Sequence, residues 1–209
     1  MLKVKEIYLT KQGEGYHTGQ EAVFCRFTGC NLWSGLEKDR HKAACRFCDT
    51  DFRGVDGVNG GRYTELSLVK KIQEIWGRES SPFVVFTGGE PLLQLKKSFI
   101  DLCKHRNFYV ALETNGTKVI PSGIDWVCVS PKPRSTIVIR KASELKLVYP
   151  QREPEMAPEN FVDFDAEHRY LQPLDNKHQK YNIQLANEYC QHHPDWKVSI
   201  QTHKILGIP

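Results

Sequence analysis

Short apolar runs typical of strands alternate along this chain with amphipathic runs of helical spacing, and this alternation limits the possible fold more than any other feature. The strand-like runs are AVFCRF at 22–27, FVVF at 83–86, FYVAL at 108–112, DWVCVS at 125–130, ELKLV at 144–148, RYLQ at 169–172 and KVSIQ at 197–201. The helical runs are 66–76, with Thr64 as the predicted N-cap, 91–106 and 176–193. Strands separated by crossover helices predict a parallel sheet.

Polar and glycine-bearing segments follow the predicted strands, each at the carboxyl end. They are TGC at 28–30, TGGEP at 87–91, ETNG at 113–116, SPKPR at 130–134, QPLD at 172–175 and THK at 202–204. Ligands of α/β barrels and open parallel sheets bind where these ends converge, so the segments predict the functional site. A full eightfold barrel typically needs ~250 residues, and this chain has 209. We therefore expect an α/β protein with an incomplete TIM-type parallel β/α barrel of about six to seven strands, in one domain spanning 1–209.

Composition limits the compartment and the classes of partner. The first residues, MLKVKEIYLT, contain no apolar segment of the kind that a signal peptide needs, and no later run approaches the ~20 apolar residues that span a bilayer. We therefore expect a cytoplasmic protein without a membrane partner. In that compartment an odd count of seven cysteines indicates a metal or catalytic site rather than a disulfide framework. The net charge is only +4, with acids and bases interspersed, so we expect no nucleic-acid partner.

Three of the cysteines, Cys30, Cys45 and Cys48, follow the first predicted strand in a C-x14-C-x2-C spacing. Two interpretations are open. With His41 as a fourth ligand, the thiolates form a structural zinc site. Alternatively, they hold a 4Fe-4S cluster that leaves one iron open to a substrate or cofactor. The glycine pair of TGGEP favours the second interpretation, because glycine lets a ligand approach the backbone closely and a zinc module has no such need.

A set of motifs is spread from residue 12 to the end of the chain: QGEG at 12–15, FCRFTGCNLW at 24–33, CDT at 48–50, FTGGEPLLQ at 86–94, ETNG at 113–116, SPK at 130–132, LQPLD at 171–175 and QTHKILGIP at 201–209. Together these motifs resemble the 7-carboxy-7-deazaguanine synthase family of the radical S-adenosylmethionine (SAM) superfamily. Most members of the superfamily have C-x3-C-x2-C, and the longer first gap of this chain occurs as a variant within the family.

The resemblance implies a radical ring contraction of 6-carboxy-5,6,7,8-tetrahydropterin to 7-carboxy-7-deazaguanine, with loss of ammonia, in queuosine and related biosynthesis. The implied cofactors are a 4Fe-4S cluster, SAM and Mg2+. A 5'-deoxyadenosyl radical from SAM would abstract a hydrogen atom from C6 of the substrate, and SAM would be regenerated in each turnover. The implied partners are the pterin substrate, an external one-electron donor of flavodoxin or ferredoxin type, and a second copy of the chain in a homodimer.

The resemblance also assigns site residues by position. The cluster ligands are Cys30, Cys45 and Cys48, and the Mg2+ ligand is Thr50, with Asp49 as its rival. The implied SAM contacts are Gly88, Gly89, Ser130, Pro131, Lys132, Gln172, Pro173, Leu174 and Asp175. The implied substrate contacts are Gln12, Gly13, Glu14, Arg26, Thr87, His203 and Pro209. Among these, Glu14 and Gln12 suit an aminopyrimidinone edge, and the guanidinium of Arg26 suits a carboxylate.

Several alternatives stay open at this point. Loop 31–44, inserted between the cysteines, is either a short helical lid or a solvated surface loop. Glu90 is either a favourable first-turn acid of a helix or a ligand contact. Glu113 and Asn115 are further candidates for SAM contact, although Asn115 with Gly116 is equally well explained as a plain turn. The apolar tail ILGIP is expected to pack over the pocket, where the free carboxylate of Pro209 could meet a substrate N–H edge. The rival functions are a radical SAM activase acting on a partner protein and a zinc-bearing binding module.

Overall fold

Nine strands form one mixed sheet in the computed structural model, which describes all residues from Met1 to Pro209. The strands are β1 (Leu2–Lys11), β2 (Glu21–Phe27), β3 (Gly61–Tyr63), β4 (Phe83–Gly88), β5 (Tyr109–Thr114), β6 (Trp126–Val129), β7 (Lys141–Tyr149), β8 (Asp165–Pro173) and β9 (Trp196–Val198). Their order across the sheet is β3-β1-β2-β4-β5-β6-β7-β8-β9. β1 pairs antiparallel with β2 and β3, and all other neighbours are parallel. The α/β class is confirmed, with seven parallel strands.

Every predicted strand overlaps one of the seven parallel strands, whereas β1 and β3 were not predicted. The register of β1 against β2 shifts between Val4 and Glu6. Such a bulge breaks the two-residue alternation of apolar and polar side chains on which the recognition of strands from sequence depends. β3 has only three residues, too few to show any periodicity.

Four α-helices accompany the sheet: α1 (Glu65–Trp76), α2 (Lys97–His105), α3 (Gln179–His192) and α4 (Thr202–Leu206). The predicted N-cap of α1 is confirmed, because Oγ1 of Thr64 accepts a hydrogen bond from the backbone N–H of Ser67 at 3.1 Å. The prediction of one helix over 91–106 is wrong at its start. Residues Pro91–Leu93 form a 3-10 turn, and the Gln94 side chain then bonds both backbone groups of Lys3 at 2.7 and 3.1 Å. This contact with β1 delays the start of α2.

Two apolar clusters form the core. The larger joins α1 and α2 to β1, β2, β4 and β5, and includes the fully buried Leu68, Phe86 and Phe99. The smaller joins α3 to β7, β8 and β9, and takes Met156 and Phe161 from the segment after β7, which contains two 3-10 turns. Through these two clusters, the helices pack against the strands and hold them in place. No helix has both the length and the apolar character that crossing a membrane requires.

The sheet is curved, because chain segments that extend from its distant strands meet. On a flat sheet, the seven steps between β1 and β9 would separate these strands by roughly 34 Å at ~4.8 Å per step. Nevertheless, the N–H of Thr202, after β9, donates to the carbonyl of Gly13, after β1, at 2.9 Å. Oγ1 of Thr10 likewise donates to a terminal oxygen of Pro209 at 2.9 Å. The curvature encloses a space at the carboxyl ends of the parallel strands.

Candidate active site

A cavity of about 430 Å³ lies at these carboxyl ends. All of the site residues predicted from the sequence line it except Pro131: Gln12, Gly13, Glu14, Arg26, Cys30, Cys45, Cys48, Thr50, Thr87, Gly88, Gly89, Ser130, Lys132, Gln172, Pro173, Leu174, Asp175, His203 and Pro209. The volume is within the range of about 300–1,000 Å³ that is usual for small-molecule sites. The fold therefore brings together residues that the sequence separates by almost its whole length.

The three clustered cysteines lie on the loop after β2, and none of them forms a disulfide. A hydrogen bond from the Cys45 thiol lowers the pKa of Cys48 to about 6, and the same interaction raises the pKa of Cys45. Burial raises the pKa of Cys30. Iron and zinc bind the thiolate form, so the acidified Cys48 is suited to metal binding.

The predicted four-ligand zinc site is not assembled. The structure contains no group of three or more His, Cys, Asp or Glu side chains that could hold a single metal ion. His41 is exposed and does not line the cavity. A 4Fe-4S cluster binds each cysteine through a different iron, so its ligands line a common cavity without converging on one point. Cys30, Cys45 and Cys48 fit that requirement.

Loop 31–44 contains a 3-10 helix, Glu37–Lys42, and is held against the cysteines. The guanidinium of Arg40 lies 4.2 Å from the ring centroid of Trp33, and its Nη1 donates to the carbonyls of Arg46 and Cys48, each at 2.9 Å. From the loop after β6, Nη2 of Arg134 donates to the carbonyl of Ala43 at 2.7 Å. The loop is thus ordered by contacts to the cysteine-bearing turn.

Close packing between two loops requires glycine at both positions of the pair Gly88 and Gly89. A Cβ added to Gly88 would lie 2.2 Å from the carbonyl oxygen of Phe27, and one added to Gly89 would lie 2.1 Å from that of Gly29. Gly88 also has a φ of +131°, which favours glycine. The pair therefore lets the loops after β2 and β4 touch, and it remains part of the cavity wall.

Glu90, which follows the glycine pair, is fully buried and does not line the cavity. Its carboxylate accepts hydrogen bonds from Thr114 Oγ1 at 2.9 Å, Asn115 N at 2.8 Å and Leu92 N at 3.0 Å. Burial raises its pKa. Glu90 caps the 3-10 turn Pro91–Leu93 and joins the loops after β4 and β5. Glu90 therefore stabilises the two loops and does not face a ligand in the cavity.

Two wall segments predicted to contact SAM present polar atoms to the cavity. Nζ of Lys132 donates to the carbonyl and hydroxyl oxygens of Ser130 at 2.8 and 2.6 Å. Near the end of β8, the Oε1 atom of Gln172 is buried and has no hydrogen-bond partner in the protein. A buried acceptor without a partner is costly, and a ligand in the cavity reaches this atom only if the side chain turns.

The opposite part of the wall holds a polar group made of Gln12, Glu14, Thr87, Glu113 and Lys146. Glu14 accepts from Lys146 Nζ at 2.5 Å and from Gln201 Nε2 at 2.8 Å. Glu113 accepts from Gln12 Nε2 at 3.2 Å and from Thr87 Oγ1 at 3.1 Å. Although burial alone would raise the pKa of Glu14, the charge and hydrogen bond of Lys146 lower it to about 2, with help from Gln201.

Arg26, predicted to bind a substrate carboxylate, is already partly engaged. Its Nε donates to Glu6 Oε1 at 2.7 Å, and its Nη2 donates to the Tyr8 hydroxyl at 2.9 Å. These contacts from β1 orient the guanidinium along the cavity wall. Nη1 has no partner in the protein and is the free donor that a ligand could use.

Thr50, the predicted Mg2+ ligand, lines the cavity two residues after Cys48. Its rival Asp49 has a partner, because Nζ of Lys204 lies 2.5 Å from Asp49 Oδ2. The same nitrogen lies 2.5 Å from Asp175 Oδ2. Asp49 is therefore held in an ion pair with α4, while the Thr50 hydroxyl is free of side-chain hydrogen bonds.

The expectation that the apolar tail packs over the pocket is wrong for Ile205 and Leu206, whereas Ile208 is half-buried. Ile205 is 71% exposed and Leu206 is 65% exposed. Polar contacts hold the tail instead, through the Thr202, Lys204 and Pro209 bonds described above. A Cβ at Gly13 would lie 2.1 Å from Nδ1 of His203, so the glycine admits the histidine ring. The tail thus covers the cavity mainly by hydrogen bonding, with Ile205 and Leu206 exposed to solvent.

The sequence analysis did not identify three further residues that line the cavity: Lys146, Gln201 and Lys204. It also did not predict the contacts of Glu113 with Gln12 and Thr87. For Lys146 a signal existed. In ELKLV, Glu144 and Lys146 alternate with the fully buried Leu145 and Leu147. This alternation predicts a strand whose two faces are apolar and charged, and a buried charged face indicates a site.

Comparison with known proteins gives consistent matches over the whole chain. Curated relatives named 7-carboxy-7-deazaguanine synthase are 52% identical in Caulobacter vibrioides (99% of this chain, 98% of the relative), 52% identical in Bradyrhizobium diazoefficiens (98% of each), and 44% identical in Nitratidesulfovibrio vulgaris (99% of each). The crystal structure of QueE from Escherichia coli is similar with a TM-score of 0.74 at 25% identity, covering 96% of this chain and 93% of that one. No family model matches the chain.

Proposed function

Since the chain belongs to the 7-carboxy-7-deazaguanine synthase family, we propose that it converts 6-carboxy-5,6,7,8-tetrahydropterin into 7-carboxy-7-deazaguanine, with ring contraction and loss of ammonia. The enzyme is then a radical SAM lyase of 7-deazapurine and queuosine biosynthesis. The observation that carries the proposal is a single cavity lined both by the three cysteines and by the polar group around Glu14. A cofactor site and a substrate site must share one space if a radical formed at the first is to act at the second.

Cys30, Cys45 and Cys48 hold a 4Fe-4S cluster in this proposal. When bound, the cluster and SAM supply the one-electron chemistry that removes a hydrogen atom from the substrate. The low pKa of Cys48 favours the thiolate that iron needs. Loop 31–44, inserted between the ligands, covers the cluster from solvent, and its hydrogen bonds to the cysteine-bearing turn support that role.

The SAM contacts line the cavity wall between the cysteines and β8. Gly88 and Gly89 present backbone to the methionyl amine, and Ser130 with Lys132, beside Pro131, meets the carboxylate or ribose. Gln172, Pro173, Leu174 and Asp175 lie along the adenosine. The unsatisfied Oε1 of Gln172 supports this assignment, because a turn of the side chain would let an exocyclic amine or a ribose hydroxyl donate to it.

The pterin binds against the polar group on the opposite wall. Glu14, with Gln12 beside it and Gly13 between them, accepts the N–H groups of the aminopyrimidinone edge, and Glu113 and Thr87 complete that surface. The free Nη1 of Arg26 meets the substrate carboxylate. His203 and the carboxylate of Pro209 close the site from the tail. Acceptors already anchored by protein donors are pre-organised, which favours tight orientation of the ring.

Mg2+ is bound by the Thr50 hydroxyl, with its other ligands from substrate and water. The ion pair of Asp49 with Lys204 supports Thr50 over its rival. We further assign residues 1–209 to one radical SAM domain with an incomplete TIM-type barrel. Contacts between the segments after β1 and β9 support the barrel, since only a strongly curved sheet allows them.

In the cell the enzyme acts in the cytoplasm as a homodimer and takes electrons from a flavodoxin or ferredoxin type donor. A radical SAM activase would use the same cluster, but it acts on a protein substrate. That function would give no role to the polar group of Gln12, Glu14 and Glu113. A zinc-bearing module gains no support, because the residues that it requires do not converge on one ion.

The test is product analysis under anaerobic conditions. Reconstituted enzyme, SAM, Mg2+, dithionite and the carboxy-tetrahydropterin should yield 7-carboxy-7-deazaguanine and ammonia in equal amounts. The Cys45→Ala variant is the control and should yield neither. Cleavage of SAM to 5'-deoxyadenosine without any deazaguanine would overturn the proposed substrate and favour a different radical SAM reaction.

A further inference from the structure

The ammonium group of Lys146 is buried in the cavity wall at the junction of two carboxylates. Lys146 is only 6% exposed. Its Nζ lies 2.5 Å from Oε2 of Glu14 and 3.9 Å from Oε1 of Glu113. Glu14 follows β1, Glu113 belongs to β5, and Lys146 belongs to β7, so one cation connects three distant parts of the sheet.

The charges around Lys146 are mostly acidic. From β7 itself comes Glu144, which accepts from Tyr16 N at 3.2 Å and from the Cys128 thiol at 3.5 Å. β6 contributes Cys128, β5 contributes Glu113, the segment after β1 contributes Glu14, and α4 contributes His203 near Glu14. Burial raises the pKa of Glu144. Although burial opposes the charge of Lys146, Cys128 and the surrounding carboxylates raise its pKa.

A buried lysine with two carboxylate neighbours changes what these carboxylates can do. Two carboxylates that share a buried site repel each other, and one of them usually takes up a proton. A protonated carboxyl carries an O–H donor, whereas an ionised one is an acceptor only. Each carboxylate has about four acceptor positions, and the protein donors already named occupy two on Glu14. The remaining positions on Glu14 are all acceptors only while that group is ionised.

We propose that Lys146 is a positioning residue that holds Glu14 as an ionised acceptor beside Glu113, so that the cavity presents adjacent carboxylate oxygens to the N–H edge of the substrate. This inference rests on the proposed function, because it names a determinant of pterin recognition at the same site. Lys146 itself need not touch the substrate. Its effect passes through the two carboxylates, and it selects for ligands with adjacent N–H donors over ligands that present acceptors.

The test is the pH dependence of pterin binding, measured by calorimetry between pH 5.5 and 8.5 under anaerobic conditions. Wild-type affinity should change little over this range, because Glu14 stays ionised beside Lys146. In Lys146→Met, which keeps the length but removes the charge, one carboxyl should bind a proton. The affinity of this variant for the pterin should then fall about tenfold for each pH unit below the new pKa of that carboxyl. Lys146→Arg, which keeps the charge, should restore a flat profile.

Two further variants separate this role from a merely structural one. Lys5→Met is the matched control, because Lys5 lines the same cavity but pairs with Asp51 and Asp56, and its profile should stay flat. In the double variant Lys146→Met with Glu14→Gln, the group whose protonation weakens binding is absent, so the affinity should be low and the pH dependence seen in Lys146→Met should be lost. Circular dichroism melting at pH 7 reports whether each variant is folded.

The outcomes decide between the claims. A flat profile and wild-type affinity in Lys146→Met would overturn the inference and leave the proposed function intact. If Lys146→Met is unfolded, Lys146→Arg decides, because a loss of affinity beyond about tenfold in a folded, charged variant contradicts a charge-based role. Failure of the wild-type enzyme to bind the pterin at all would overturn the proposed function, and the inference with it.

Discussion

Nζ of Lys204 lies 2.5 Å from Oδ2 of Asp49, which joins the C-terminal helix α4 to the residue that follows the last clustered cysteine. The same nitrogen also reaches Asp175 after β8. One side chain near the chain end therefore connects two parts of the cavity rim. Since His203 and Pro209 lie on the same segment, the position of the tail and the shape of the pocket depend on each other.

Replacing Lys204 by Met should loosen the tail with little effect on global stability. Partly exposed ion pairs contribute about 0–1 kcal/mol, and Asp49 is 56% exposed. We expect an almost unchanged melting temperature, faster amide hydrogen exchange over 201–209, and pterin affinity several-fold lower. Lys97→Met, which removes a surface pair with Asp101, is the control and should change none of the three. Unchanged exchange in Lys204→Met would show that other contacts hold the tail.

Replacing any one of Cys30, Cys45 and Cys48 by Ala should abolish cluster binding and SAM cleavage, because a three-cysteine cluster has no spare ligand. Iron content and the brown absorbance of anaerobically purified protein are the measurements. Cys103→Ala and Cys190→Ala are the controls and should retain both, since neither residue lines the cavity. Iron near the wild-type level in Cys30→Ala would remove that cysteine from the ligand set.

Glu14 should contribute to stability in a pH-dependent way. Its pKa in the folded protein is lowered to about 2 from an ordinary value of 4.5. A carboxyl with a lowered folded pKa stabilises the fold fully above its unfolded pKa, and that contribution is lost as the pH falls toward the folded value. The free energy of unfolding should therefore decrease between pH 4.5 and 2 more steeply in wild type than in Glu14→Gln.

Denaturant unfolding of the ligand-free protein at pH 7, 4 and 3 measures this difference. Glu79→Gln, at an exposed position, serves as the control and should follow the wild-type curve. Parallel curves for wild type and Glu14→Gln would mean that the Lys146 pair adds nothing to the stability of the fold.

Magnesium should raise the activity of metal-stripped enzyme, and Thr50→Ala should weaken that response more than it weakens SAM binding. The reason is that the Thr50 hydroxyl is the free hard oxygen beside the cysteines, whereas Asp49 is paired. Asp49→Asn is the informative comparison, because a direct ligand role would make it the more damaging change. Equal activity in a chelator and in Mg2+ would contradict any magnesium requirement.

Appending one glycine after Pro209 tests the terminal carboxylate. The addition moves the charge by ~3.3–3.6 Å at full extension. The melting temperature should stay the same, because Ile205 and Leu206 are already exposed and lose no packing. Pterin affinity should fall, since the carboxylate no longer reaches the substrate edge. Unchanged affinity would limit Pro209 to its hydrogen bond with Thr10.

The sequence by itself determined the features that depend on local pattern. The seven parallel strands follow from runs of apolar residues, and the N-cap of α1 follows from Thr64. Part of the cavity wall was also predictable, because segments at the carboxyl ends of parallel strands must converge. Gln12, Glu14 and Arg26 were assigned only through the family resemblance. Even Lys146 carried a signal, in the alternation of charged and apolar residues along β7.

Only the tertiary structure decided which of these residues act on each other. Lys146 and Glu14 are 132 positions apart in the sequence. Their pairing depends on how strongly the sheet curves, and no short segment of the sequence determines that curvature. The delayed start of α2 reflects the contact of Gln94 with β1, and the exposed tail is held by polar bonds to Gly13 and Asp49. Local propensity sets what each segment can form, but the charge and hydrogen bonding of a buried group depend on partners that folding brings from elsewhere in the chain.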